Sequence, residues 1–170
     1  MSNSSETKDF VDEQNKFTFD YIKDNPLNES IRNSFEKLYN YTRYNIPVKH
    51  GDWYYITINN GLQNQGVIMR MKDLNEKNLE VFIDPNELWS NGTISLVFTT
   101  FSPNGNYVSF GLSKGGSDWI TIGVYDATIS PPKRLNDNLR KVKFAYTGWL
   151  KNNKGFFYAV SNKFLLFSII

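Results

Sequence analysis

The sequence predicts a mainly β fold preceded by two α-helices. Two observations carry that reading. The spacing of apolar residues changes from three and four to two near Pro47, which is the change from a helical to a strand period. A turn pattern also occurs twice, about fifty residues apart: Phe101-Ser102-Pro103-Asn104-Gly105-Asn106-Tyr107 and Trp149-Leu150-Lys151-Asn152-Asn153-Lys154-Gly155-Phe156. Each copy reads aromatic residue, polar turn, glycine, aromatic strand. Several short strands per period of roughly 40–50 residues are the signature of β-propeller blades. The chain has room for about two antiparallel four-stranded blades, and closure needs at least about four. The expectation is therefore a partial β-propeller.

The elements follow in order. Over 6–24, Phe10, Val11, Gln14, Phe17, Tyr21 and Ile22 share one helical face. Asn25-Pro26 interrupts the pattern, with Asn25 as a candidate cap and Pro26 as the first residue of a second helix. Ile31, Phe35, Leu38 and Tyr39 form that helix's apolar stripe. Trp53–Ile58 is rich in aromatic and β-branched residues and reads as the first strand. Asn60-Gly61 is a hairpin signal, because this pair tolerates positive φ. Strands are expected at 65–70, 79–83, 94–99, 107–112, 119–125, 142–146 and 155–160. Short polar turns separate them, and no crossover helix intervenes. The expected organisation is a helical segment over 1–46, a partial propeller over 47–160 and an apolar tail over 161–170. That tail, Phe164 to Ile170, reads as a terminal strand or a sticky end. It is far shorter than the ~20 residues that span a bilayer, so no membrane partner is expected.

Composition narrows the chemistry. The 170 residues carry a net charge of +2 and no cysteine. So small a charge points to no nucleic-acid partner, and the basic group Lys133, Arg134, Arg140, Lys141 and Lys143 comes with no recognition motif. Disulfides and thiolate metal sites are excluded, no metal ligands or cofactor are expected, and a cytoplasmic location is the default expectation. Gly111-Leu112-Ser113-Lys114-Gly115 fits the Gly-x-Ser-x-Gly pattern of a hydrolase nucleophile. That motif needs a strand before it and a helix after it. Here Trp119–Ile122 follows as a strand, and the single histidine, His50, precedes the serine. Ser113 therefore reads as a hairpin residue, His50 as an exposed turn residue without a partner, and no catalytic residue is assigned. The carboxylates Asp9, Asp12, Glu13 and Asp20 read as the solvated side of the first helix.

Several segments together resemble one family. They are Phe10-Val-Asp-Glu-Gln-Asn15, Asn60-Gly-Leu-Gln-Asn-Gln65, Asp84-Pro-Asn86, Asn91-Gly-Thr93, Gly111-Leu-Ser113 with Gly116-Ser-Asp-Trp119, Val142-Lys-Phe144 and Lys154-Gly-Phe-Phe-Tyr158. In this order and spacing they resemble the N-terminal region of prolyl oligopeptidase, the prolyl endopeptidase family of serine peptidases. The resemblance implies a two-part enzyme that hydrolyses short peptides after proline. An α/β-hydrolase domain would carry a Ser-Asp-His triad, and a seven-bladed propeller would sit over it. This chain would supply the helices, blade one and most of blade two. Its partners would be the absent hydrolase domain or remaining blades and, in an intact enzyme, short proline-containing peptides. Phe144 and Trp119 would line outer substrate subsites there; ordinary inter-blade packing is the alternative for both. The family's triad region and its opening Asp-Pro-Tyr-x-Trp-Leu-Glu segment have no counterpart in the sequence. The chain is thus expected to be an incomplete, catalytically inactive prolyl oligopeptidase. The alternatives are a non-catalytic binding module using exposed blade edges, or a degenerate gene product.

Overall fold

A computed structural model describes residues 4–88, 92–143, 146–160 and 163–168. It contains two compact units, 1–41 and 42–170.

The first unit holds α1 (Ser5–Ile22) and α2 (Asn28–Tyr39). Ser4 caps α1: its hydroxyl accepts from the Thr7 amide at 3.2 Å, satisfying one of the orphan donors of a first helical turn. Asn25 does not cap α2 directly. Its side chain accepts from the Leu27 amide, an Asx turn that uses Asn25 two residues early and delays the helix to Asn28. The apolar stripes of both helices are exposed, and neither helix has a buried residue.

The second unit is three antiparallel sheets. In the first, β1 (Arg43–Tyr44) and β2 (Val48–His50) both pair with β3 (Trp53–Asn59), followed by β4 (Val67–Met71) and β5 (Glu80–Ile83). The helical segment therefore ends before the expected change at Pro47, because Arg43 and Tyr44 already pair with Asn59 and Ile58. The second sheet runs β6 (Ile94–Phe101), β7 (Tyr107–Lys114), β8 (Trp119–Asp126) and β10 (Leu139–Lys143), with β9 (Lys133–Arg134) also on β8. The third is β11 (Thr147–Trp149), β12 (Gly155–Val160) and β13 (Lys163–Ser168). The strands expected at 142–146 and 155–160 are not neighbours. Val142 pairs with Ile120 in the second sheet, whereas Thr147 pairs with Tyr158 and opens a third.

The sheets pack in series. Tyr55, Ile68, Phe82 and Ile83 of the first meet Val108 and Phe110 of the second. The second sheet's opposite face brings Phe98, Ile120, Ile122, Val124 and Val142 against Phe156 of the third. Burial on both faces explains why β7 and β8 read as near-continuous apolar runs. Polar side chains between the second and third sheets are paired. The Trp149 indole N–H donates to the Thr100 carbonyl at 2.9 Å and to Ser109 Oγ at 3.1 Å. Ser109 Oγ shares a 2.6 Å bond with Thr147 Oγ1. The indole and the threonine hydroxyl thus tie the third sheet to the second.

The repeated turn pattern marks equivalent hairpins, β6–β7 and β11–β12, and the two turns touch. The Asn104 amide donates to Asn153 Oδ1 at 3.0 Å. On its other side the β6–β7 turn meets the β2–β3 turn, where a Cβ on Gly105 (φ +76°) would lie 2.7 Å from the Gly51 Cα. Positive φ and backbone contact together demand glycine. Gly105→Ala is expected to lower stability by roughly 1–3 kcal/mol, read as a lower urea midpoint at unchanged m-value.

Candidate functional site

Two of the residues singled out by sequence, Ser113 and Trp119, flank the hairpin at one end of the second sheet. There β7 and β8 are joined by Gly115-Gly116-Ser117-Asp118, with both glycines at positive φ (60° and 70°). The Ser117 carbonyl accepts from Ser113 Oγ at 2.7 Å, and Ser117 Oγ accepts from the Trp119 amide at 3.1 Å. Ser113 is thus a strand residue at the edge of a hairpin. Its hydroxyl donates to a main-chain carbonyl, and no helix follows it.

A cavity of about 340 Å³ opens beside this hairpin, lined by Ser95, Val97, Ser113, Gly116, Ser117, Asp118, Ile120 and Tyr146. Val97 reaches it through a bulge: β6 and β7 shift register between Leu96 and Phe98, leaving Val97 unmatched and exposed. Hydroxyls, one carboxylate and a phenol give the cavity hydrogen-bonding groups over an apolar floor, the composition of a ligand-binding recess.

Trp119 does not line this cavity. It pairs across the ladder with Lys143, while Ile120 pairs with Val142, so alternation puts Trp119 and Ile120 on opposite faces of the sheet. Trp119 is 53% exposed. Lys143 Nζ lies 5.7 Å from its ring centroid and 3.5 Å from Asp118 Oδ2. Both partners of that ion pair are well exposed, so its contribution is small, about 0–1 kcal/mol. Phe144, the other expected subsite residue, lies outside the described residues.

His50 sits elsewhere and is not an exposed turn residue. It ends β2, half-buried, with its ring stacked on Phe101 at 3.8 Å between centroids and 5° between planes. Burial holds its imidazole below the ordinary value of 6.5. Between that value and the lower folded one, the unfolded chain binds more protons, so stability rises with pH through the window. This contribution is full above about pH 6.5 and fades as pH falls toward the folded value. His50→Phe is expected to flatten the dependence of the urea midpoint on pH in that range.

Two other sequence segments serve structure. The Asn86 side chain bridges the Gln65 main chain, accepting from its amide at 3.0 Å and donating to its carbonyl at 3.1 Å. Asp84 Oδ1 orients Asn86 by accepting from its amide and its side chain. Asn60-Gly-Leu-Gln-Asn-Gln65 and Asp84-Pro-Asn86 are thereby one joint within the first sheet. Among the described residues, no group of three or more His, Cys, Asp or Glu is placed to hold a metal ion, and no helix is long and apolar enough to cross a membrane.

Sequence reasoning did not find Arg70 or Tyr146. Arg70 is completely buried and binds across sheets, which no spacing in β4 reveals. Tyr146 lines the cavity from the short link between β10 and β11.

Known proteins share this arrangement. The family profile described as prolyl oligopeptidase, N-terminal beta-propeller domain, matches residues 2–163. Prolyl endopeptidase from Elizabethkingia meningoseptica is 38% identical over 160 residues, covering 94% of this chain and 22% of that protein. Prolyl oligopeptidase A from Amanita bisporigera is 39% identical over 175 residues, covering 91% and 23%. The solved structure of prolyl oligopeptidase B from Galerina marginata, bound to a 35mer hydrolysis and macrocyclization substrate, superposes with a TM-score of 0.85 at 25% identity, covering 99% of this chain and 27% of that one. The chain thus spans less than a quarter of each of the two curated relatives named.

Proposed function

Because this chain belongs to the prolyl oligopeptidase family, as its N-terminal β-propeller portion, we propose that it supplies the propeller part of a cytoplasmic serine-type peptidase that cleaves short peptides after proline. The observation that carries the reading is the family match over 2–163, together with three sheets packed in series. In the whole enzyme the catalytic serine, aspartate and histidine come from the hydrolase part. The propeller contributes walls that screen what reaches them. Trp119 and Phe144 are the residues we assign to substrate contact. An exposed indole offers a flat apolar surface to a peptide side chain upstream of proline. The isolated chain is catalytically silent, because Ser113 donates its proton to a carbonyl and the only imidazole is stacked on Phe101.

Two assays test this. The purified chain is expected to release nothing from a chromogenic Gly-Pro reporter peptide. Turnover that disappears with Ser113→Ala would overturn the assignment. The second assay uses a chimaera in which residues 2–163 replace the matching region of the Elizabethkingia enzyme. It is expected to cleave the reporter, with Trp119→Ala raising KM more than it lowers kcat. A folded chimaera without turnover counts against the reading.

A further inference from the structure

We infer that β6 holds an extended peptide along its unpaired edge, with neighbouring peptide side chains seated in recesses on opposite faces of the second sheet. β6 is terminal in the order β10-β8-β7-β6, and among the described residues no strand pairs with its other side. The position recurs: β11, the equivalent first strand, is also terminal in its sheet. β6 itself lies in mid-chain, with a neighbouring sheet packed on each face of its own. The ladder to β7 shows which groups the edge offers. The Ser102 amide donates to the Tyr107 carbonyl at 2.9 Å, and the Gly115 amide to the Thr93 carbonyl at 2.8 Å. Antiparallel alternation counted from those bonds turns the N–H and C=O of Thr99 and Leu96 away from β7. The bulge at Val97 takes up the extra residue between them, so Leu96 and Thr99 stand one ladder step apart.

Two recesses flank this stretch, and Val97 lines both. One, of about 280 Å³, lies toward the first sheet, between Thr57, Gln65 and Ile68 on that side and Leu96 and Thr99 on the other. The second is the cavity of about 340 Å³ beside the Gly115-Gly116 hairpin, on the face where Ile120 packs toward the third sheet. An edge strand with a recess on each face suits strand addition, in which main-chain bonds supply affinity and alternate side chains supply selection. A helix could not use the edge, because its main-chain groups bond internally. The linings also select the side chains. The first recess has no ionisable lining residue, so a charge there would lack a partner and an uncharged side chain fits. The second offers the Asp118 carboxylate, the Ser95 and Ser117 hydroxyls and the Tyr146 ring. Lys143 approaches Asp118 at Oδ2, at 3.5 Å. That set suits lysine or arginine, whose stem covers Val97 and Ile120 while its cationic end meets the carboxylate and the ring. The selected peptide thus carries an uncharged residue next to a basic one. Calling that peptide a substrate rests on the peptidase reading; its binding to β6 does not.

Nuclear magnetic resonance titration of the isotope-labelled 170-residue chain with the blocked peptide acetyl-Gly-Val-Lys-Val-Gly-amide tests it. At saturation the Leu96 and Thr99 amides are expected to shift and to gain protection from hydrogen exchange. Replacing the peptide's lysine with norleucine or glutamate should weaken binding about tenfold or more, the worth of a hydrogen bond to a charged group. Asp118→Asn should bring the lysine peptide level with the norleucine one. Methylating the peptide's backbone nitrogens should abolish binding, since strand pairing needs those donors. Thr99→Pro removes a donor from the unpaired edge alone and should have the same effect. No saturable shift at Leu96 and Thr99 up to millimolar peptide overturns the inference. So does a methylated peptide that binds as well as its parent, or equal binding of the lysine, norleucine and glutamate peptides. If Thr99→Pro does not fold, the methylated peptide on the unmodified chain decides. A chain that binds the peptide in this way while the folded chimaera stays silent upholds the edge site and counts against the peptidase reading.

Discussion

Replacing Arg70 with leucine lowers the unfolding free energy of the sheet unit by about 3–5 kcal/mol, the usual cost of removing one partner from a buried charge pair. Arg70 lies on β4 with none of its surface exposed. Its Nε and Nη2 donate to the two Glu80 carboxylate oxygens at 2.8 and 3.1 Å. Nη1 and Nη2 donate onward to the Ala127 and Ile129 carbonyls at 2.7 and 2.6 Å. Those carbonyls follow β8, so one side chain holds the first sheet to the loop leaving the second. The guanidinium also lies 4.0 Å from the Trp53 ring centroid. Leucine leaves both carbonyls without the guanidinium donor and the carboxylate with the Ser130 hydroxyl in place of the planar fork. Lysine is expected to restore little, since a single ammonium cannot match the planar fork. Urea unfolding at neutral pH measures the loss, and a change below about 1 kcal/mol would show the network to be incidental.

The same network sets an acid dependence. The Arg70 hydrogen bonds, aided by Ser130 Oγ at 2.7 Å, hold the Glu80 carboxyl below its ordinary value of 4.5. A carboxyl depressed in the folded state leaves the unfolded chain binding more protons at acid pH. Its stabilisation is full above about 4.5 and is lost as pH falls through the folded value. In Arg70→Leu that part of the acid slope should shrink, leaving what Ser130 and Lys72 contribute, while the His50 contribution nearer pH 6.5 persists.

Phe110→Ala is the second large effect, expected at about 3–5 kcal/mol for a fully buried ring. Phe110 is 0% exposed and packs between the first and second sheets, with its centroid 4.9 Å from Tyr125. Gly123 on β8 makes room for it: a Cβ there would come within 2.5 Å of the ring's Cζ. Gly123→Ala should therefore destabilise the parent and cost much less in the Phe110→Ala background. Coupling of this sign in a double-mutant cycle identifies direct collision. Additive losses would mean that the two residues act independently.

The strands most legible in the sequence are those with long aromatic or β-branched runs, such as Trp53–Asn59 and Trp119–Asp126. The paired turn pattern was legible too, because Pro103, Asn104 and Gly105 are chosen by backbone conformation and so are written locally. The third sheet was hidden for the opposite reason. It begins with Thr147–Trp149, three residues, too short for a period of two to register. Arg70 was hidden because a charged residue in a strand reads as solvent-facing, and its partners at 127 and 129 lie more than fifty residues away. At the candidate site, the hairpin context of Ser113 could be read from the strand that follows it. The opposed faces of Trp119 and the cavity could not, because they depend on pairing with β10. His50 was misread because its neighbour in space, Phe101, belongs to the next sheet.

The contact of successive hairpins at Gly51, Asn104–Gly105 and Asn153 has a consequence for how this architecture tolerates change. Each turn meshes with the next like a cog tooth, so an inserted residue at any of them would alter the spacing between sheets as well as one loop. Length variation is cheap only at the far ends of the same strands. The Gly115–Gly116 corner is such a place, with nothing within 4 Å of either added Cβ. A grafted epitope or reporter peptide belongs there.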